Sequence, residues 1–189
     1  MTDHQRLSVS RRRLLAGSGA GLSLAVAGCT GDESASITPV SLDGERACDQ
    51  CGMIIEDHPG PVGQVHFEDD EPEGGRPGQF CSSTCTYTYR FDAEDEGRTP
   101  LATFLTDYSA VEYEVFEEGS DTMFSSHVER EAFSRTTELT VVARSEIVGA
   151  MGPELIPFSE ADDVDAFVEE YGGEPMPAED VERSTLEAL

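Results

Sequence analysis

The residues best suited to chemistry are two cysteines and a methionine that lie close together in residues 48–53, which read CDQCGM. Two residues separate Cys48 from Cys51, a spacing that lets both sulfur atoms face one metal ion. Gly52 permits the backbone to turn, so Met53 can place its thioether nearby. Thiolate and thioether sulfur are soft ligands that favour copper(I) over hard cations, and a thioether is unusual for zinc. The segment therefore predicts a copper(I) site.

A second pair, Cys81 and Cys85, widens the possible chemistry. Three residues separate the two cysteines at the predicted start of a helix, where the positive end of the helix dipole favours a thiolate at Cys81. Together with Cys48 and Cys51 they also match a four-cysteine zinc site. In an oxidising compartment the same cysteines could form disulfides. Thioredoxin-like chemistry is less favoured, because the first pair does not lie between a strand and a helix.

Three further residues are candidate ligands. Met151 lies in a Gly- and Pro-rich bend, where its thioether need not pack into an element, although methionine more often fills a core. His58 and His66 follow the first motif and could complete a metal site, although histidine serves many other roles. The sequence contains no pattern typical of a Ser-His-Asp triad, a phosphate loop or a dinucleotide fingerprint. These enzyme classes are not expected. We do not expect an enzyme, and a thiol oxidoreductase stays the enzymatic alternative.

The charge of the chain argues against a nucleic-acid partner. The sequence has 39 acidic residues and 12 basic ones, all arginine, for a formal net charge of -27, whereas phosphate contact needs a positive surface. At molar ionic strength the Debye length falls to about 3 Å, which screens the repulsion between like charges. The composition thus indicates adaptation to a salty environment, with an ordinary acidic protein that carries a solvated tail as the alternative.

Residues 1–28 predict an export signal. Adjacent arginines at 11–13 precede an apolar run over 14–27, which is typical of the twin-arginine route. The run is shorter than the roughly 20 residues of a membrane-spanning helix. Small residues before Cys29 predict a lipoprotein processing site, which would attach Cys29 to lipid and leave four cysteines for chemistry. We expect a lipid anchor on the outer face of the cell membrane, followed by a flexible tether over 29–45.

The rest of the chain predicts one domain over 46–174 and an acidic tail over 175–189. The predicted elements are, in chain order, a strand at 64–68, a loop at 68–79, a helix capped by Ser82 that ends before Gly97, strands at 101–106 and 111–116, a helical segment at 123–133, a strand at 139–143, and a helix at 161–171 closed by Gly172 and Gly173. Strands and helices interleave twice, which indicates an α+β fold with two ββα-like halves.

These motifs together resemble those of the NosL family of nitrous-oxide reductase accessory proteins. The resemblance spans about residues 47–173, and its blocks keep the family's order. The blocks are 48–53, 57–64, 80–83 and 149–153, followed by 165–167 and 172–173.

The resemblance implies an exported lipoprotein that binds one copper(I) ion and passes it toward nitrous-oxide reductase, with that enzyme's copper-loading transporter as a partner. It implies a fold of two small ββαβ modules in one domain, similar to part of the organomercurial lyase MerB. The family's binding motif falls on Cys48, Cys51 and Met53, with Cys81 and Met151 in matching blocks. Cys85 departs from the family pattern, so an extra disulfide or a zinc site of all four cysteines stays open.

Overall fold

A computed structural model of the chain describes residues 37–69, 72, 74–149 and 151–189. Over these ranges the chain forms eleven strands in three sheets, together with three α-helices. The strands are β1 (Gly63–Phe67), β2 (Gly78–Phe80), β3 (Pro100–Thr106), β4 (Val115–Glu118), β5 (Asp121–Phe124), β6 (Phe133–Arg135), β7 (Thr140–Ala143), β8 (Ile147–Gly149), β9 (Gly152–Pro153), β10 (Ile156–Phe158) and β11 (Glu174–Pro177). The helices are α1 (Ser83–Asp95), α2 (Ala161–Tyr171) and α3 (Arg183–Glu187).

The predicted export signal, Cys29 and the first part of the predicted tether lie outside the described residues. None of the helices in the described ranges has the length and apolar character needed to cross a membrane.

The first sheet has β1 at its centre. β2 and β3 pair with β1 on either side, both antiparallel, and β6 pairs with the outer edge of β3. α1 connects β2 to β3 and packs against the sheet, so these elements form a ββαβ module. Val65, Phe80 and Phe104 belong to its core.

The second sheet repeats this arrangement. β7 is the central strand, and β10 and β11 flank it, again both antiparallel. α2 connects β10 to β11 and contacts all three strands. Val164 and Phe167 on the buried face of α2 join the core beneath this sheet, as the helical spacing of apolar residues predicts. Two ββαβ modules therefore share one domain, and the predicted α+β class is confirmed.

A third sheet has the strand order β4-β5-β8-β9. Its first two strands lie in the chain between β3 and β6, and its last two lie between β7 and β10 of the second module. β5 and β8 are parallel, whereas the other two pairs are antiparallel. Phe124 and Ile147 face inward and join the core of the second module. This sheet carries the turn that contains Met151.

The prediction of a helical segment at 123–133 is wrong. Part of it is strand β5, and a short 3-10 turn at Arg130–Ala132 follows. Phe124 pairs with Val115 across the sheet and is fully buried, so tertiary packing overrides a weak local preference. The predicted strand at 111–116 begins only at Val115 and lies in a different sheet from β3.

The described part of the predicted tether, residues 37–45, packs onto the domain. Leu42 is fully buried, and its backbone N–H donates to the Val128 carbonyl at 2.8 Å. Val40 exchanges two hydrogen bonds with the side chain of Gln64, at 2.6 and 3.0 Å. Apolar residues in this segment cover the edge of the core, so the packed structure starts earlier than predicted.

The predicted acidic tail at 175–189 is also structured. β11 pairs with β7 through Pro177, and Ala178 and Val181 are buried. The buried hydroxyl of Tyr87 on α1 donates to the Ala178 carbonyl at 2.7 Å. Acidic residues alternate with apolar ones in this segment, so its composition alone does not indicate that the apolar residues are buried.

Candidate metal centre

Four thiols gather at one end of the first module. The Sγ atoms of Cys48, Cys51, Cys81 and Cys85 all lie within 4.8 Å of one another, and those of Cys51 and Cys81 are 3.4 Å apart. All four are free cysteines; Cys51 is exposed and the other three are buried. Across the described ranges this is the one group of three or more His, Cys, Asp or Glu residues arranged to hold a metal ion.

A tight turn positions the first cysteine pair. The Gly52 N–H donates to the Cys48 carbonyl, and the Cys48 N–H donates to the Met53 carbonyl, both at 2.8 Å. Gly52 has φ of +81°, a left-handed conformation that glycine adopts without steric cost. The turn directs the exposed side chain of Cys51 toward the buried Cys81.

Asp49 fastens this turn to the strand that leads to the second pair. Its N–H donates to the Gln79 carbonyl and its carboxylate accepts from the Gln79 N–H, each at 2.9 Å. Arg76 also donates two hydrogen bonds to this carboxylate, at 2.6 and 2.7 Å. Because Gln79 lies two residues before Cys81, these contacts set the separation between the two cysteine pairs.

The start of α1 positions the second pair. Ser82 is the N-cap residue, and its side chain accepts a hydrogen bond from the Cys85 N–H at 2.8 Å, as predicted for a serine in that position. Cys85 therefore lies in the first turn of the helix, where its sulfur approaches that of Cys81. Both side chains belong to the core of the first module.

The close packing of the thiols separates their pKa values. Hydrogen bonds from Cys81 and then Cys85 hold the pKa of Cys48 far below its ordinary value, even though burial opposes this effect. The bond to Cys48, together with burial, raises the pKa of Cys81 and raises that of Cys85 to about 12. The contacts among the thiols therefore favour deprotonation of Cys48 over Cys81, whereas the position at the helix start alone favoured Cys81. Cys81 lies two residues before the first helical residue, Ser83, and its thiol donates a hydrogen bond to the Cys48 sulfur.

The dimensions of the cluster fit a soft metal ion. With a metal–sulfur distance of about 2.3 Å, two sulfurs on opposite sides of an ion are about 4.6 Å apart, and those of a regular tetrahedron about 3.8 Å apart. Thiols within 4.8 Å of one another therefore suit either two-coordinate or four-coordinate binding. Sulfur ligands disfavour magnesium and calcium, which take oxygen.

Both candidate methionines lie on segments attached to this cluster. Met53 directly follows the Cys51 turn and is half-buried against the core that contains the thiols. Met151 is 45% exposed in the turn between β8 and β9. Just after that turn, the Pro153 carbonyl accepts a hydrogen bond from the Thr84 hydroxyl in the first turn of α1, at 3.3 Å. The role of either methionine as a ligand stays a prediction.

The candidate histidines do not belong to the thiol group. Gly63 on β1 pairs with Phe80, the residue before Cys81. His66 lies three residues further along β1, about 10 Å from that position. Its ring packs edge-on against Phe104, and burial, followed by the charge of Arg135, lowers its pKa. His58 lines a separate surface pocket together with Met123 and Glu118.

Two features of the site were underestimated or missed in the sequence. Cys85 was a secondary candidate, yet its sulfur is as much a part of the group as the other three. Glu154 had no predicted role, but its fully buried carboxylate accepts hydrogen bonds from Ser83 and Thr84 at the start of α1. The helix cap made the placement of Cys85 foreseeable, whereas no local pattern identifies Glu154.

The fold and the thiol cluster are those of a small α+β protein with a soft candidate metal site. The sequence model of the NosL family matches residues 39–186. The chain belongs to the NosL family, as its motifs predicted.

Two relatives support this assignment. The chain is 28% identical over 168 residues to the copper-binding lipoprotein NosL of Stutzerimonas stutzeri, covering 88% of this chain and 78% of the relative. The crystal structure of the copper chaperone NosL from Shewanella denitrificans superposes with a TM-score of 0.58 at 22% identity. That match covers 78% of this chain and 97% of the solved one, so the two proteins share their fold.

Proposed function

We propose that this protein binds copper(I) as cargo and acts as a copper chaperone, not as an enzyme. The observation that carries the proposal is the group of four free thiols within 4.8 Å, one of which is open to solvent. Soft sulfur ligands select copper(I), and the exposed Cys51 offers an approach for exchange. The descriptions of the two relatives as a copper-binding lipoprotein and a copper chaperone support the same function.

The proposed ligands come from the turn, from the helix start and from the Met151 turn. Cys48, Cys51 and Cys81 would supply thiolates, and Met53 or Met151 a neutral thioether. A low coordination number would let an incoming ligand replace one sulfur at a time, so the ion never has to be free. Because binding displaces thiol protons, copper affinity should fall as the pH falls.

The proposed destination of the copper is nitrous-oxide reductase, reached with the help of that enzyme's copper-loading transporter. The support is the family membership, together with the motif blocks that this chain shares with nitrous-oxide reductase accessory proteins. We further propose export by the twin-arginine route and lipid attachment at Cys29 on the outer face of the membrane. The relative from Stutzerimonas stutzeri is a lipoprotein, which supports the anchor.

The metal assignment is tested by comparing two metals on the reduced, full-length protein. Copper(I) affinity is measured against a chromogenic copper(I) chelator, and zinc affinity against a zinc indicator. The double variant Met53→Leu, Met151→Leu should bind copper(I) more weakly while it keeps nearly all of its zinc affinity, because thioether sulfur contributes little to zinc. Met176→Leu, on β11 in the second sheet, is the matched control. Equal loss of both metals, or loss of neither, would contradict the assignment.

A structural zinc site is the second candidate, and the inclusion of Cys85 in the sulfur group favours it. Four thiolates in a tetrahedron are typical of such sites. Metal analysis after anaerobic purification separates the two functions. Stoichiometric zinc that excess copper(I) does not displace would support the zinc site. A Cys85→Ser variant should then lose zinc affinity far more than copper(I) affinity.

The delivery role needs a test in cells. Deleting the gene in the parent organism should yield nitrous-oxide reductase with less copper and lower activity, and the wild-type gene should restore both. A Cys29→Ser variant should be released from the membrane fraction if that cysteine carries the lipid. Fully copper-loaded reductase in the deletion strain would refute the proposed destination without affecting the metal assignment.

A further inference from the structure

We propose that Glu154 is a positioning residue, whose carboxylate fastens the Met151 turn to the start of α1 and so holds the Met151 thioether beside the cysteine cluster. The inference rests on the proposed function in one respect, because it treats Met151 as a copper(I) ligand. Glu154 would act through Met151 and would not touch the metal.

The contacts of Glu154 join two separate parts of the chain. Its Oε2 accepts a hydrogen bond from the Ser83 hydroxyl and one from the Thr84 N–H at 3.3 Å. The Ser83 hydroxyl oxygen in turn accepts from the Leu155 N–H at 3.1 Å, and the Thr84 hydroxyl donates to the Pro153 carbonyl at 3.3 Å. Both sides of Glu154 in the sequence are therefore bound to the first turn of α1.

A carboxylate in this position is expensive for the fold. Glu154 is only 1% exposed, and its second oxygen, Oε1, has no hydrogen-bond partner. Burial of a carboxylate whose two oxygens are not both hydrogen-bonded is strongly unfavourable. The positive end of the α1 dipole offsets part of this cost. An apolar side chain would fill the space with less loss, so the carboxylate is best explained by the connection that it makes.

Gly149 provides the space for this side chain. A Cβ atom at position 149 would lie 2.6 Å from the Cγ of Glu154. Gly149 also pairs with Gly152 across the hairpin formed by β8 and β9, and Met151 lies in its turn. The hairpin is thus closed over the Glu154 side chain, so a shift of that side chain would move the turn.

The distance along the chain links this connection to the metal site. Three residues of extended chain span at most about 10 Å, which limits how far Met151 can lie from Glu154. Ser83 and Thr84, which bind Glu154, are the two residues next to Cys85 on the side facing Cys81. The turn that carries Met151 is therefore held at the helix end that carries both cysteines.

The experiment is a double-mutant cycle on the full-length reduced protein, with copper(I) and zinc affinities as readouts. Glu154→Ala should lower copper(I) affinity by about 10- to 100-fold, the usual effect of removing a residue that orients a ligand, and leave zinc affinity nearly unchanged. In a Met151→Leu background the same substitution should change copper(I) affinity by less than about twofold. Glu154→Gln keeps an acceptor oxygen and should behave almost like the wild type.

A merely structural role for Glu154 would give a different pattern. Both metals would then lose affinity in parallel, and the loss would be equal with and without Met151; either result overturns the inference. Gly149→Ala keeps the experiment decisive if Glu154→Ala fails to fold, since the added Cβ displaces Glu154 without removing a polar group. Its expected effect is the same Met151-dependent loss of copper(I) affinity. A wild-type protein that binds no copper(I) would instead refute the proposed function itself.

Discussion

Replacing Asp49 tests whether the contact between the Cys51 turn and β2 holds the cysteine pairs together. The carboxylate of Asp49 is 17% exposed, and its partner Arg76 is 40% exposed. A partly exposed ion pair of this kind contributes about 0.5–1 kcal/mol. The hydrogen bond from the Gln79 N–H at 2.9 Å involves a charged acceptor and contributes about 1.5–3 kcal/mol. We therefore expect Asp49→Ala to lower the free energy of unfolding by about 2–4 kcal/mol.

Arg76→Ala is the matched control, because it removes the ion pair and leaves the Gln79 contact in place. It should cost about 0.5–1 kcal/mol at low salt and less at high salt. Urea unfolding of the reduced, metal-free protein at two salt concentrations measures both variants. Copper(I) affinity should fall further in Asp49→Ala than in Arg76→Ala, because only the former removes a hydrogen bond between the turn and the strand before Cys81. Equal costs for the two variants would refute this reasoning.

Three further substitutions test other parts of the structure. Leu42→Ala should destabilise the protein by about 2–5 kcal/mol in urea unfolding, since Leu42 is fully buried; a change near zero would restore the tether interpretation. Tyr87→Phe should cost about 1–2 kcal/mol by thermal or urea unfolding, because the Ala178 carbonyl loses its donor. Burial raises the pKa of Glu154 from 4.5 to about 7, so the native state binds the extra proton and stability falls as the pH rises through that window. Glu154→Gln should remove this decline, so above pH 7 its free energy of unfolding should exceed that of the wild type by up to about 3 kcal/mol. Urea unfolding at several pH values measures this difference, and a difference that does not change with pH would contradict the prediction.

The two longer helices, α1 and α2, and the central strands could be predicted because their signals are local. Ser82 caps α1 by its own side chain, and the apolar face of α2 follows from the spacing of Val164 and Phe167. β4 and β5 lacked such a signal, because their pairing depends on contacts with β8 and on the burial of Phe124. Short strands inserted between the elements of a module are specified by tertiary packing rather than by periodicity.

The candidate metal site also has features that the sequence predicts and features that it does not. The spacing of Cys48 and Cys51 and the helix start near Cys81 were enough to predict that these residues belong together. The connection through Glu154 depends on two segments about seventy residues apart, as its 71-residue separation from Ser83 shows. The packing of residues 37–45 was also hidden, since a few apolar side chains among polar ones do not show which surface they cover.

The uneven burial of the four sulfurs gives the site a single direction of access. Cys51 reaches solvent, while its three companions are enclosed by protein. Under the proposed function, a competing thiol, an oxidant or an acceptor protein would therefore meet Cys51 first, and the inner sulfurs would hold the copper until that encounter has begun. A small molecule that reaches Cys51 would leave before it could replace the bonds from copper to the three buried sulfurs. A docked acceptor protein would stay long enough to replace them.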